Sequence, residues 1–199
     1  MYIPEKFRTE DEQLINEFMQ SNSFATIVSS IGDKIEATHM PISRFQNGNY
    51  YGHIAKNNPQ SNISDSQEVL VIFTGPHAYI SPTMYIADIT PPTWNYSAVH
   101  CYGNIHFIDD ETEIWNLFHE LVEKYEGKEG WKLSDEEKFK DLTKFICFFE
   151  FKIESIEAKF KFNQNKSDED IKSVITGLRN VGNKDAADFM ERITNQWSQ

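Results

Sequence analysis

Cysteine is scarce in this chain of 199 residues, with Cys101 and Cys147 as its only two. Disulfide-built secreted domains and thiolate zinc sites need more cysteines at closer spacing, so the sequence excludes both classes of protein. Long apolar runs are also missing, since no stretch approaches the roughly 18 consecutive apolar residues of a membrane helix, and residues 1–8 contain no apolar signal segment. We therefore expect a cytoplasmic protein without a membrane anchor.

Positive charge is in short supply as well, because 19 Lys and Arg face 31 Asp and Glu, a net charge of −12. Nucleic-acid binding depends on cations that neutralise phosphates, so direct DNA binding is possible but disfavoured. More than half of the imbalance comes from residues 109–141, which hold twelve acids and five lysines. Between Arg44 and Lys124 the only cation is Lys56. An anionic ligand is expected near Lys56 or near the basic segment 142–166.

The familiar catalytic motifs are absent: no phosphate-binding loop, dinucleotide fingerprint, zinc-protease helix or nucleophile elbow occurs. His100 and His106 would face the same side of a strand but about 20 Å apart at ~3.3 Å per residue, so we predict no metal site. The last two predicted helices resemble a helix-turn-helix, yet from Lys166 onwards they hold five basic and six acidic residues. This balance favours packing or dimerisation over DNA recognition.

The composition, with 39% hydrophobic and 14% aromatic residues, is that of a chain that folds. Periodicity predicts helices over residues 9–21, 110–126 and 134–144, and two more after Ser167. Strands are predicted over residues 24–30, 35–42, 50–55, 68–74, 78–81, 96–107 and 145–156. Because strands and helices do not alternate, we expect an α+β protein, mainly β with peripheral helices, built on about six antiparallel strands in a barrel or curled sheet.

Polar segments stand at the ends of three predicted strands, at residues 37–41, 52–60 and 92–96. One interpretation is structural, with Asn57-Asn58-Pro59 forming a turn, but it leaves Lys56 without a role. The other is functional: Thr38, Lys56 and backbone amides bind an anion while Trp94 and Tyr96 cover a flat ring, as a phosphorylated planar cofactor requires. The residues alone leave both interpretations open.

Seven blocks along the chain carry a family resemblance: MYIP (1–4), FR (7–8), ATHMP (37–41), GHIAK (52–56), GPHAYISP (75–82), PTWNY (92–96) and EAKFKFNQN (157–165). In these blocks the chain resembles the PaiB family of FMN-binding negative transcriptional regulators, which is related to the pyridoxamine-phosphate-oxidase-like split-barrel flavoproteins. The resemblance implies a six-stranded antiparallel split β-barrel, a homodimer, and FMN bound in the cleft between subunits.

The resemblance also implies the residues that contact FMN. From the first subunit these are Thr38, His39, Met40, His53, Ile54, Ala55, Lys56 and Asn58. From the partner subunit, or at the mouth of the cleft, they are Trp94, Asn95, Tyr96, Lys161 and Gln164. Three positions depart from the family pattern: Lys56 replaces a frequent Arg, Met84 a Trp and Asn163 a Ser. No residue is assigned a catalytic role.

The function implied is that of a cytoplasmic, dimeric FMN-binding protein of the PaiB type, named by resemblance as a negative transcriptional regulator. Two alternatives remain open: a flavin-dependent oxidoreductase of unknown substrate, and a dimeric binding scaffold that has lost its cofactor. We expect residues 1–165 to form the FMN-binding split-barrel domain, with the acidic helices inserted. Residues 166–199 would form a helical appendage that packs on the barrel or on the partner.

Overall fold

The computed structural model of the chain describes residues 1–87, 89–132 and 136–197. Within these ranges the strands are β1 (Arg8–Thr9), β2 (Phe24–Ile31), β3 (Lys34–Pro41), β4 (Ser43–Arg44), β5 (Tyr50–Ala55), β6 (Glu68–Ile80), β7 (Thr93–Ile108) and β8 (Ile146–Lys161). The α-helices are α1 (Glu12–Ser21), α2 (Glu111–Glu126), α3 (Glu136–Thr143), α4 (Asp168–Asn180) and α5 (Lys184–Trp197). Residues 134 and 135 of the predicted second acidic helix lie outside the described ranges.

The strands follow one another in the sheet in the order β3-β2-β6-β7-β8-β5-β4, and β1 pairs with β8 beside this path. The pairs β1–β8, β2–β3, β2–β6, β4–β5 and β5–β8 are antiparallel. This confirms the mainly β class with peripheral helices. The predicted number of six strands is corrected to eight, because β1 and β4 are pairings of two residues each, too short for any periodicity to reveal.

Two strands extend past their predicted ends. β6 continues through Gly75 and Pro76 and so joins the two strands predicted over residues 68–74 and 78–81. Its pairing with β2 covers only residues 70–72, so the missing N–H of Pro76 costs no bond to β2. β8 continues to Lys161 because its last residues pair with β1. The same pairing delays the start of α1 to Glu12. The extension matters for function, since it brings Lys159 and Lys161 into a strand.

One compact unit comprises residues 19–73 and 100–156. Alternate residues of its strands fill the interior, with Ile27, Val71, Phe73 and Phe149 fully buried. Helix α2 begins at its N-cap Asp110 and contributes Leu117 to a second apolar cluster, whose other buried members are Phe45, Tyr51 and Phe148. The unit thus has one apolar layer inside the curled strands and another beneath α2.

The other compact unit comprises residues 1–18, 74–99 and 157–199. The Phe189 ring of α5 lies 5.2–5.8 Å from three other phenylalanine rings, those of Phe18, Phe160 and Phe162. Helix α4 starts as predicted at Ser167, whose hydroxyl accepts the backbone N–H of Asp170. No helix in the described ranges is long and apolar enough to cross a membrane.

Candidate functional site

Thr38, His39 and Met40 are consecutive residues of β3, so their side chains alternate between the two faces of the sheet. Met40 is buried on the same face as Thr38. His39 lies on the opposite face, where its Nδ1 is 2.8 Å from Thr26 Oγ1 and its ring is stacked beside Phe24. The structure therefore separates His39 from the other two candidates on this strand.

Thr38 and Asn58 are brought together, and a third residue joins them. The Thr38 hydroxyl donates to Gln60 Oε1 at 2.5 Å and accepts from Asn58 Nδ2 at 2.9 Å. Asn58 Oδ1 in turn accepts the backbone N–H of Gln60 at 2.9 Å. These bonds use the one O–H of Thr38 and one of the two N–H groups of Asn58, so both side chains hold the turn in place while Asn58 keeps a second N–H for a ligand.

Gln60 is a residue of the candidate site that the sequence analysis did not select. Its side chain is fully buried, and its Nε2 donates to Ser29 Oγ at 2.9 Å and lies 3.3 Å from the carbonyl oxygen of Glu36. The 3₁₀ turn Pro59–Asn62 is thereby tied to β2 and β3. Asn58 and Pro59 do mark the start of a turn in the sequence, but nothing local distinguishes Gln60 from an exposed glutamine.

Lys56 follows β5 directly and projects from this anchored turn. Its backbone N–H donates to the carbonyl oxygen of Phe145 and its own carbonyl accepts from Ser61, so its backbone is fixed on both sides. The side chain is exposed, and no carboxylate among the described residues pairs with it. Lys56 is thus a cation with a fixed backbone and no counter-ion in the part of the chain that the structure describes.

The remaining candidates of this group lie on β5 and split between its faces. Ala55 is exposed, while Ile54 is buried and pairs with Cys147 of β8. Burial raises the pKa of the Cys147 thiol, and the nearby charge of Lys56 lowers it by less. His53 faces the other way, with its ring 5.4 Å from that of Phe148. Burial lowers the pKa of His53, so its imidazole is neutral at pH 7.

The second group of candidates lies on β7 and β8. Trp94 is 55% exposed and its ring contacts those of His77 and Tyr79 at 6.4 and 6.0 Å. Asn95 points to the opposite, buried face, where its Nδ2 approaches Met190 Sδ at 3.8 Å and its Oδ1 has no hydrogen-bond partner among the described residues. Tyr96 returns to the face of Trp94. The structure brings Trp94 and Tyr96 to one face and leaves Asn95 in the interior.

Lys161 and Gln164 differ in what they can offer a ligand. The Lys161 ammonium donates to Thr93 Oγ1 at 2.5 Å and to the carbonyl oxygen of Trp94 at 2.6 Å, which leaves one N–H. Its pKa is lowered, first by burial and then by Lys159. Gln164 accepts from the backbone N–H of Phe162 and donates to the carbonyl of Phe160, so both ends of its amide close its own turn.

The departures from the family pattern have physical consequences here. Asn163 has a φ of 63°, a left-handed conformation that asparagine adopts more readily than serine, and its Nδ2 donates to the Tyr85 hydroxyl at 3.1 Å. Met84 packs against Gly177 of α4, where a Cβ would lie 2.8 Å from Met84 Cγ.

Among the described residues, no group of three or more His, Cys, Asp or Glu could hold a metal ion.

Comparisons with known proteins show which family the chain is similar to. Residues 1–155 match the family model described as "Putative FMN-binding domain". The chain is 36% identical to the Bacillus subtilis protein "Protease synthase and sporulation protein PAI 2", over 96% of this chain and 95% of the relative.

The fold is similar to the flavocytochrome Anf3 of Azotobacter vinelandii, with a TM-score of 0.63 at 13% identity over 83% of this chain and 75% of that one. It is also similar to the FAD and heme binding protein of Mycobacterium smegmatis, with a TM-score of 0.58 at 12% identity over 83% and 79% of the two chains. These likenesses support the split-barrel fold. The chain belongs to the FMN-binding domain family, as a member of the PaiB type, and its cofactor is FMN.

Proposed function

We propose that this chain is a flavoprotein of the PaiB type that holds the FMN phosphate at Lys56. The single observation that carries this proposal is an exposed cation, fixed by its backbone at the end of β5 and unmatched by any carboxylate in the described residues. A phosphate monoester supplies the missing negative charge. When bound, FMN supplies the redox chemistry, while the chain's own residues bind and orient it.

The roles of the neighbouring candidates follow from their bonds. Thr38 and Asn58 stabilise the turn through Gln60, and Lys56 makes the direct charge contact. A lysine offers a point charge where an arginine would offer a planar fork, so the phosphate is held by one contact of variable direction. We infer a moderate affinity for FMN that rests largely on a single side chain.

Replacing Lys56 by methionine tests the proposal. A charge-assisted hydrogen bond is worth about 1.5–3 kcal/mol, so we expect the Lys56→Met variant to bind FMN roughly 10- to 100-fold more weakly in a fluorescence titration. Riboflavin, which lacks the phosphate, should bind the variant and the native chain equally. Lys34→Met, at the exposed start of β3, is the matched control. Equal FMN affinity of Lys56→Met and the native chain would overturn the assignment.

We also propose that the protein is a homodimer, formed through the outer face of β2, β3 and β6. In the sheet, Thr26 stands opposite both Ile72 and His39, and Val28 stands opposite Leu70, so these side chains share one face. None of these five residues is fully buried. Phe24 and Ile35, on the same face, are 66% and 77% exposed. A second copy of the chain would cover this apolar surface, and His39 with it.

Light scattering during gel filtration tests the dimer. The native chain is expected to elute as a dimer and Phe24→Glu as a monomer, because a carboxylate cannot be buried in an apolar interface without a partner. Val181→Glu, equally exposed at 66% in the native chain, is the control and should remain dimeric. A monomeric native chain, or a Phe24→Glu variant that stays dimeric, would contradict the proposal.

We propose that the regulatory role implied by the family name, if the chain has it, is carried out by this flavin-binding dimer. A net charge of −12 disfavours direct contact with an operator. Operator binding measured over a series of salt concentrations separates the possibilities, since direct phosphate contacts predict an affinity that falls steeply with salt. A flavin-dependent oxidoreductase activity remains the alternative, and oxidation of a reduced nicotinamide donor by the FMN-loaded protein would favour it.

A further inference from the structure

The outer face of β2, β3 and β6, on which the proposed dimer forms, contains one histidine. We name this surface the β2–β3–β6 face; its members are Phe24, Thr26, Val28, Ile35, Ala37, His39, Leu70 and Ile72. His39 stands opposite Thr26, which on its other side stands opposite Ile72. The imidazole therefore lies within the apolar surface that a second copy of the chain would cover.

His39 is held in place without being neutralised. The side chain is exposed, its Nδ1 lies 2.8 Å from Thr26 Oγ1, and its ring is stacked 6.4 Å from that of Phe24. A hydroxyl can donate to a neutral ring nitrogen or accept from a protonated one, so Thr26 bonds to either form of the imidazole. Because Thr26 supplies no negative charge, water alone solvates the charge of an imidazolium here.

No carboxylate in the described part of the chain forms an ion pair with His39. β2 packs beside it, and the β2 members of the face carry no charge. On β3 itself, strand alternation turns Lys34 and Glu36 to the opposite face. Glu68 of β6 shares the face, but it lies four residues before Ile72, about 13 Å along the strand at ~3.3 Å per residue. A protonated His39 thus has no counter-ion on the β2–β3–β6 face.

Covering this face with a second copy separates the two forms of the imidazole. A neutral ring keeps its hydrogen bond to Thr26 and can be buried at little cost. An imidazolium loses its water and gains no opposite charge, so its burial is strongly unfavourable. A two-fold axis places the same patch of both copies in one interface, and the cost is therefore paid twice.

We propose that His39 makes dimer formation depend on pH, because two copies associate only while both imidazoles are neutral. This inference rests on the proposed dimer and adds its regulation. An ordinary histidine is half protonated near pH 6.5, so at pH 5.5 about one chain in eleven carries the neutral ring. Since both copies must be neutral, the apparent dissociation constant of the dimer rises about 100-fold between pH 7.5 and pH 5.5.

The sign of this dependence is diagnostic. The chain carries a net charge of −12, and lowering the pH reduces the repulsion between two such copies. A dimer that responded to net charge alone would become tighter as the pH falls. Control by His39 predicts the opposite.

Sedimentation velocity on a dilution series of the FMN-saturated protein, between pH 7.5 and pH 5.5, tests the proposal. We expect the native dimer to weaken about 100-fold. His39→Gln keeps a side chain that can bond to Thr26 but takes up no proton, so its dimer should be equally tight or tighter at pH 5.5. His106→Gln is the matched control; it removes a histidine whose Nδ1 lies 3.1 Å from Asp65 Oδ2, and it should weaken as the native chain does.

The outcomes separate this inference from the proposed dimer. A native chain that is monomeric at pH 7.5 overturns both. A native dimer that is equally tight at both pH values overturns the inference alone, as does a His39→Gln dimer that weakens like the native one. Circular dichroism at each pH confines the comparison to folded chains. Flavin absorbance in the same runs reports FMN occupancy, so dissociation caused by loss of FMN would appear in His39→Gln as well and would overturn the role of His39.

Discussion

Replacing Gln60 by leucine tests whether a buried network positions the FMN phosphate site. Leucine keeps most of the volume of the glutamine side chain and removes its polar atoms. Two short bonds disappear, the one at 2.5 Å from Thr38 and the one at 2.9 Å to Ser29. The contacts of Nε2 to the carbonyl oxygens of Ile27 and Glu36, at 3.4 and 3.3 Å, are longer and weaker.

The expected loss of stability follows from the groups left behind. An unsatisfied buried polar group costs about 1–3 kcal/mol; the Ser29 hydroxyl loses its bond from Gln60, and the Thr38 hydroxyl keeps its bond from Asn58 but loses its acceptor. Part of this cost is offset because leucine prefers the interior. We therefore expect the free energy of unfolding to fall by about 2–4 kcal/mol. Gln67→Leu is the control; its amide makes one bond, to the carbonyl of Ser30, at a half-buried position, and we expect a loss below about 1 kcal/mol.

The assay is urea unfolding followed by circular dichroism on FMN-free protein, since bound FMN would add its own stabilisation. A second measurement separates positioning from stability: the ratio of FMN to riboflavin affinity, taken where the variant is folded. If Gln60 positions Lys56, this ratio falls, because only FMN carries the phosphate. An unchanged free energy of unfolding, or an unchanged affinity ratio, would refute the reasoning.

Two further predictions concern stability. Gly103→Ala should lower the free energy of unfolding by at least about 3 kcal/mol, because the new Cβ would lie 2.0 Å from the backbone oxygen of Lys152. Asn104→Ala on the same strand is the control and should cost much less. Similar urea midpoints for the two variants would contradict the prediction. His53 has a pKa below its usual 6.5, so the unfolded chain takes up its proton first and stability is lost as pH falls below about 6.5. His53→Phe should flatten this dependence in urea titrations at several pH values.

Local features of the sequence predict most elements of this fold. β5 is observed over Tyr50–Ala55, as expected, because Asn47-Gly48 marks the turn before it and aromatic residues fill the strand. The N-cap Ser167 is likewise readable, since a hydroxyl three residues before an acid is a local signal. The break predicted between strands 68–74 and 78–81 is wrong because propensity alone cannot show that Gly75 and Pro76 of β6 lie outside its pairing with β2.

The candidate site was harder to predict, because its key residues act through distant contacts. Gln60 bonds to residues 22 to 33 positions away, and Lys161 reaches Thr93 and Trp94, 68 and 67 positions away, only because β7 and β8 are neighbours in the sheet. Neither relation leaves a local pattern. The opposite orientation of Thr38 and His39, by contrast, follows from strand alternation alone and could have been read from the sequence.

The shortage of positive charge excludes fewer ligands once the positions of the cations in the fold are known. A DNA duplex carries a charge every ~1.7 Å and needs a long basic surface, which a chain of −12 is poorly suited to supply. A ligand with one or two phosphates responds only to charges within about a Debye length, ~8 Å at physiological salt. Lys56 alone can meet that demand while the net charge of the chain stays negative. FMN binding should therefore weaken only modestly with salt, whereas an operator complex built on many phosphate contacts would be lost.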